Sequence, residues 1–187
     1  MPSPVPQPTD ADLRERFAEV VAHSLRIDPV RVVPSATLDE LGAESLDLVE
    51  ITLDLENAFA ILMPERTILE IGTEVLGEGV LESDGQLTDA GRRFLAKRMP
   101  EADIAGVSST ADLRRLFLRV DTWLRIVRFL IDRSPRTCAV CEGPLVTGSP
   151  ARLRCPSCGR EVDLPNGDDL NREWVRATAA EIGLVPR

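Results

Sequence analysis

The stretch Asp39-Glu-Leu-Gly-Ala-Glu-Ser45-Leu-Asp-Leu-Val-Glu50 decides how this chain is read. Gly42 permits a tight turn, and the turn delivers Ser45 to the start of a helix spanning about Ser45 to Phe59, which Met63-Pro64 closes. Taken alone, Ser45 reads as an N-cap whose hydroxyl oxygen accepts an orphan helix N–H. The helix carries two apolar stripes. At about 100° per residue, Leu48, Ile51, Leu55 and Phe59 fall on one side, while Leu46, Val49 and Leu53 fall nearly opposite, flanked by Glu50 and Glu56. A surface helix needs only one apolar face. The second is either a docking surface beside Ser45, or the mark of a helix buried on both sides under a hairpin or C-terminal module. Periodicity alone leaves both open.

Upstream, Pro2, Pro4, Pro6 and Pro8 alternate with small polar residues, so residues 1–9 are expected to be a disordered leader. Asp10 or Asp12 caps a first helix to about Arg26, with Leu13, Phe17, Val20, Val21 and Leu25 as its stripe. His23 lies off that stripe and reads as a surface histidine. Asp28-Pro29 ends the helix. The loop from Pro29 to about Glu44 is long, and Val30, Val32, Val33, Leu38 and Leu41 are expected to anchor it over a core.

Downstream, a short helical piece covers Glu65 to Ile71, and Gly77 to Leu87 reads as a hairpin turning at Asp84-Gly85. Thr88-Asp89 caps a helix to about Arg98, and Pro100 stops it. Ser109-Thr-Ala-Asp112 opens a helix whose stripe (Leu113, Leu116, Phe117, Val120, Leu124, Val127, Ile131) continues to about Arg133. Seven Arg against three Asp between residues 112 and 136 make its polar face basic. A membrane-surface helix is one reading; a core helix with a solvated Arg face is the expected one. A last helix, capped by Asp168 or Asp169 and anchored by Trp174 and Val175, runs to about Ile182.

Composition bounds the function. Of 187 residues, 43% are hydrophobic and 28% charged, a globular balance; with 4% aromatics and no Tyr, the core must be aliphatic. No uncharged apolar run reaches about 18 residues, so no membrane span is expected, and the first residues lack the pattern of a secretory signal. One His leaves little for a His-based hydrolase or a His-rich metal site. The net charge of −9 is uneven: residues 10–75 hold 15 Asp/Glu and 5 Arg, and residues 76–187 hold 16 Asp/Glu and 17 Lys/Arg. The acidic N-terminal third favours basic protein partners over nucleic acid.

Cys138-Ala-Val-Cys141 and Cys155-Pro-Ser-Cys158 form two knuckles thirteen residues apart. Four thiolates in that pattern suit tetrahedral Zn²⁺, with iron, redox pairs or two disulfides as alternatives. Gly143 and Gly159 are expected where the chain turns around the metal, and residues 145–164 can supply short strands. A closed four-Cys site has no open position, so its role is structural or a platform for a partner. Arg152, Arg154 and Arg160 are balanced by Glu142, Glu161 and Asp163, a weak footprint for nucleic acid.

The segment LGAESLDLVEI (41–51) resembles the phosphopantetheine attachment segment of acyl carrier proteins. The first helix, the loop Val32-Val-Pro-Ser-Ala-Thr-Leu38, the ending Glu56-Asn-Ala-Phe59, Met63-Pro64 and the entry Val107 to Leu113 extend the likeness over about 10–72 and 107–120. The resemblance implies that Ser45 carries 4′-phosphopantetheine, attached by a phosphopantetheinyl transferase, and that the arm's thiol bears acyl groups as thioesters. The protein would then be a cytoplasmic carrier in fatty acid biosynthesis or related lipid metabolism, not an enzyme. Glu44, Leu46, Val49, Glu50, Leu53 and Glu56 would dock basic-surfaced acyl-processing enzymes. Glu44 stands where the family has Asp, and residues 76–106 replace a short connection. Leu87 to Leu95 also has the look of a winged-helix segment, without a full motif.

The expected fold is mainly α: an acyl-carrier-like four-helix bundle over 10–133 with an inserted hairpin-helix near 76–106. A small β zinc ribbon at 135–166, with Cys138, Cys141, Cys155 and Cys158 as ligands, and a C-terminal helix in 167–187 complete it. The alternative function is a zinc-ribbon adaptor for protein or nucleic acid, with an unmodified carrier-like domain.

Overall fold

A computed structural model describes residues 7–100, 102–107, 110–148 and 151–184. The first six residues of the expected leader and the expected helix start at Ser109 lie outside the described residues. Helix α1 (Asp10–Leu25) is capped by Thr9, one residue before the expected Asp10. Thr9 N–H donates to Asp12 Oδ2 at 3.0 Å and Asp12 N–H donates to Thr9 Oγ1 at 3.2 Å, a reciprocal capping box. The Thr9 hydroxyl, which donates to Asp12 Oδ2 at 2.7 Å, and then the Thr9 N–H hold the Asp12 carboxyl below its ordinary value.

The contacts divide the chain into two compact units, each built from two stretches of sequence: residues 1–63 with 119–166, and residues 64–118 with 167–187. In the first, α1 packs on α2 (Ser45–Phe59) and α6 (Val120–Ile131), and α2 packs on α6. Phe17 and Val21 of α1, Ile51, Leu55 and Phe59 of α2, and Val127 and Ile131 of α6 are almost fully buried. A 3-10 turn, Pro29–Arg31, opens the long loop. Val32, Leu38 and Leu41 anchor it as expected, but Val30 and Val33 are 76% and 45% exposed. At about three residues per turn, Val30 and Val32 cannot share a face.

The long helix expected from Ser109 to Arg133 is two helices, α5 (Thr110–Leu118) and α6, separated by Arg119 in an extended conformation (φ −66°, ψ 140°). The cause is the loop. Thr37 and Arg119 form a β-bridge, Val120 N–H donates to Ala36 O at 2.9 Å, and Asp121 N–H donates to Pro34 O at 3.0 Å. Those amides are therefore lost to the helical ladder. Arginines in and beside α6 serve the protein's own groups: Arg128 donates to Pro8 O and Asp10, Arg119 pairs with Asp121, and Arg133 lies over the Phe129 ring at 3.8 Å. Among the described residues, no helix is long and apolar enough to cross a membrane.

The second unit contains α3 (Ile68–Leu76), the hairpin β1 (Glu82–Ser83) and β2 (Gln86–Leu87), α4 (Asp89–Arg98), α5 and α7 (Gly167–Glu181). α3 starts three residues later than expected because Thr67 and Glu70 form a capping box. The strands are antiparallel, and Asp84 and Gly85 both take positive φ (52° and 74°), as a two-residue I′ turn requires. Gly91 lets α4 approach the hairpin: a Cβ there would lie 2.0 Å from Leu81 O. α7 packs on α3 and α4, burying Val175 and Ala179 with Leu76, Phe94 and Leu95. Trp174 meets Phe94 edge-on at 5.1 Å, and Arg98, whose Nη2 donates to Asn171 at 2.9 Å, lies over the Trp174 ring. Arg92 of the winged-helix-like segment donates to Val107 O, and just beyond that segment Lys97 and Arg98 bond to Glu181 and Asn171, all within this unit.

Candidate functional site

The start of α2 is built by backbone geometry. Leu41 N–H donates to Thr37 O and Ala43 N–H to Leu38 O, turning the chain at Gly42, whose φ of 99° excludes other residues from strain-free occupancy. Glu44, extended at φ −98° and ψ 176°, occupies the cap position, and its N–H donates to Asp47 Oδ2 at 2.7 Å. Ser45 is thus the first helical residue and not the N-cap, a correction to the simplest reading of its sequence. It is exposed, and its hydroxyl bonds to nothing among the described residues. The unpaired N–H groups and positive dipole end of the first turn favour a phosphate carried there.

The second stripe faces solvent. Leu46, Val49 and Leu53 are 84%, 58% and 53% exposed, so α2 is not buried on both sides. Glu44 and Glu50 are exposed beside them. Glu56 differs: it is half-buried, and its Oε1 accepts the Met63 N–H at 2.8 Å, while its backbone carbonyl accepts from Ala60 and Ile61. An open groove between α1 and α2 is lined by Arg16, Glu19, Val20, His23, Asp54, Asn57 and Ala58, a mixed polar and apolar surface.

The four cysteines meet in one cluster. Their sulfurs all lie within 4.8 Å of one another, with Cys138 and Cys155 buried and Cys141 and Cys158 exposed. Two matching turns place them. Cys138 N–H donates to Gly143 O and Cys155 N–H to Arg160 O, each at 2.8 Å, while Glu142 N–H and Gly159 N–H return to the carbonyls of Cys138 and Cys155. The positive-φ position is Gly159 in one knuckle but Glu142 (φ 56°) in the other. Gly143 is therefore not the turning residue its sequence position predicts; a Cβ there would come 2.9 Å from Ser157 Oγ. The knuckles flank an antiparallel sheet of β3 (Val146–Thr147), β4 (Arg152–Arg154) and β5 (Glu161–Asp163), in that order.

The donor set fits Zn²⁺. Thiolate is the ligand form, and backbone N–H groups favour it here. Those of Val140 and Cys141 lower Cys138, and that of Cys158 helps bring Cys155 down to about 6. The Gly143 N–H also pulls Cys141 down, but sharing with Cys155 and Cys158 pushes it up to about 12, as expected for thiols competing for few protons. Arg152 donates to both Glu161 and Asp163, so the sheet's outer face neutralises itself.

The ribbon is not separate from α2. Ala60, the residue that ends α2 in a left-handed conformation (φ 51°), is buried in one core with Cys138, Leu145, Leu153, Cys155 and Leu164, and Leu62 packs against that core. The sequence holds no signal for this contact beyond the apolar character of residues 60–62.

Residues 15–73 match a family model described as a phosphopantetheine attachment site. The chain is 38% identical over 64 residues to an acyl carrier protein of Zymomonas mobilis, a match covering 34% of this chain and 82% of that protein. Acyl carrier proteins of Chlorobium luteolum and Chlorobium phaeovibrioides are 32% and 30% identical over 66 residues, covering 35% of this chain and 85% of each. No solved structure matches the chain.

Proposed function

The chain belongs to the acyl carrier protein family, and we propose that Ser45 receives 4′-phosphopantetheine and that the arm carries acyl groups as thioesters. The observation that carries this reading is the exposed, unengaged Ser45 hydroxyl on the first residue of α2, inside the segment matching the attachment-site model. In the transfer, the Ser45 oxygen attacks the β-phosphorus of coenzyme A. A new P–O ester bond forms, the pyrophosphate bond breaks, 3′,5′-ADP leaves, and the hydroxyl proton passes to a base of the transferase. This chain contributes position and the positive helix end; the reactive thiol comes with the cofactor.

Leu46, Val49 and Leu53, rimmed by Glu44 and Glu50, form the surface on which basic transferases and acyl-processing enzymes dock, in the cytoplasm where coenzyme A is supplied. Cys138, Cys141, Cys155 and Cys158 hold one Zn²⁺, which supplies structural cross-linking in a sheet too small for a core of its own. Incubation with coenzyme A and a broad-specificity transferase should add one arm to the intact mass, and Ser45→Ala should abolish the addition. An unchanged wild-type mass with several transferases would favour an unmodified adaptor.

A further inference from the structure

Two features meet at the C-terminal end of α2. The stripe that faces solvent ends there, at Leu53, with Glu56 one turn further on. The ribbon core begins there, at Ala60. Glu56 joins them: its backbone carbonyl accepts from the Ala60 and Ile61 N–H groups, and its side chain accepts from Met63 N–H at 2.8 Å. We propose that metal occupancy of the ribbon governs the order of residues 56–63, and so regulates how the carrier presents the end of its docking helix.

The physical basis is a shared core with unequal self-sufficiency. α1, α2 and α6 bury their own stripes. Among the described residues, the ribbon buries Leu145, Leu153 and Leu164 with Cys138, Cys155 and Ala60, and Leu62 and Val162 pack against them. Without a metal, a sheet whose strands are two or three residues long cannot hold that core. Ala60 then loses the packing that offsets a left-handed conformation, which an L-residue adopts only at a cost. The three amides bonded to Glu56 are the first to open, because opening free energy falls where buried contacts are few. Among the described residues, none of α1 belongs to the ribbon core, and α1 keeps its order.

The inference rests on the proposed zinc site and not on modification of Ser45, so the test uses full-length Ser45→Ala protein. Zinc content is measured first, then amide exchange with Zn²⁺ bound and after chelation. Exchange at Ala60, Ile61 and Met63 should accelerate by about tenfold or more, α1 amides should be unchanged, and one equivalent of Zn²⁺ should restore protection. Linkage is reciprocal, so Leu62→Ala should weaken Zn²⁺ binding by about fivefold or more in competition with a chromophoric chelator. Protein that binds no zinc would overturn the metal site and this inference with it. Zinc-bound protein whose residues 60–63 exchange equally fast after chelation would overturn the inference alone, as would loss of protection throughout α1.

Discussion

Asp47 Oδ2 accepts the backbone N–H of Glu44 at 2.7 Å, and this bond fixes the residue before Ser45 as the cap of α2. Asp47 thus holds the turn from the far side of Ser45. Asp47→Ala should destabilise the protein by about 0.5–2 kcal/mol, the usual cost of a lost helix cap, seen as a lower urea midpoint. Asp47→Asn, which keeps an acceptor oxygen, should recover much of it. Transfer of the arm to Ser45 should slow in Asp47→Ala and recover in Asp47→Asn.

Val49 and Glu50 are exposed on α2. Val49→Asp and Glu50→Lys should therefore change folding stability by about 0.5 kcal/mol or less, yet slow arm transfer and acyl loading by basic enzymes. The wild-type loading rate should fall as salt rises, since exposed charges are screened over about 8–10 Å at physiological ionic strength. Variants that melt well below the wild type would place the stripe in the core.

Glu74 accepts from Arg172 at 2.9 Å and also pairs with Arg66, and the two guanidinium groups hold its carboxyl below the ordinary value, Arg172 foremost. A depressed folded value means the contribution is present above the usual carboxylate range and is lost as pH falls through the depressed value. Acid should thus loosen the unit of α3 and α7 over that range. Glu74→Gln should flatten this part of the acid profile, followed by Trp174 fluorescence in a Trp123→Phe background. An unchanged profile would mean that solvent screens the pair completely.

The ribbon makes two expectations. Cys155→Ala, at a buried ligand position, should abolish metal binding and disorder residues from about 137 to 166; bound structural zinc contributes on the order of 10–16 kcal/mol in zinc-finger peptides. Glu142→Gly should do the opposite, stabilising the metal-bound ribbon by about 1 kcal/mol, because Glu142 occupies the left-handed position that Gly159 fills in the matching knuckle. Thermal unfolding with zinc bound reads both. A lower midpoint in Glu142→Gly would show that the glutamate side chain is itself required.

What was legible in the sequence was local. The bounds of α2 and α4 follow from a turn or capping residue followed by a stripe, and the Asp84-Gly85 hairpin from its turn chemistry. The pairing of Cys138 and Cys141 with Cys155 and Cys158 follows from spacing. What was not legible depends on partners far along the chain. The stripe from Leu113 to Ile131 runs through Arg119 without interruption, but the carbonyls of Pro34 and Ala36 take the next two amides. Nothing in α7 tells that Val175 belongs with Phe94 rather than with the ribbon it follows. Ala60 carries no mark of its seat beside Cys138 and Cys155. Ser45 was legible as a helix start, but only the Asp47–Glu44 bond shows that its hydroxyl is left free of capping.

The central claim is that Ser45 bears a loaded arm, and the intact mass of protein isolated from its own cells tests it most directly. The mass should exceed that of the bare chain by a phosphopantetheine arm, with a fraction heavier still by an acyl group. Neutral hydroxylamine, which cleaves thioesters, should remove the acyl increment and leave the arm, and Ser45→Ala protein should show neither. Wild-type protein found only at the mass of the bare chain, from cells with an active transferase, would contradict the carrier account.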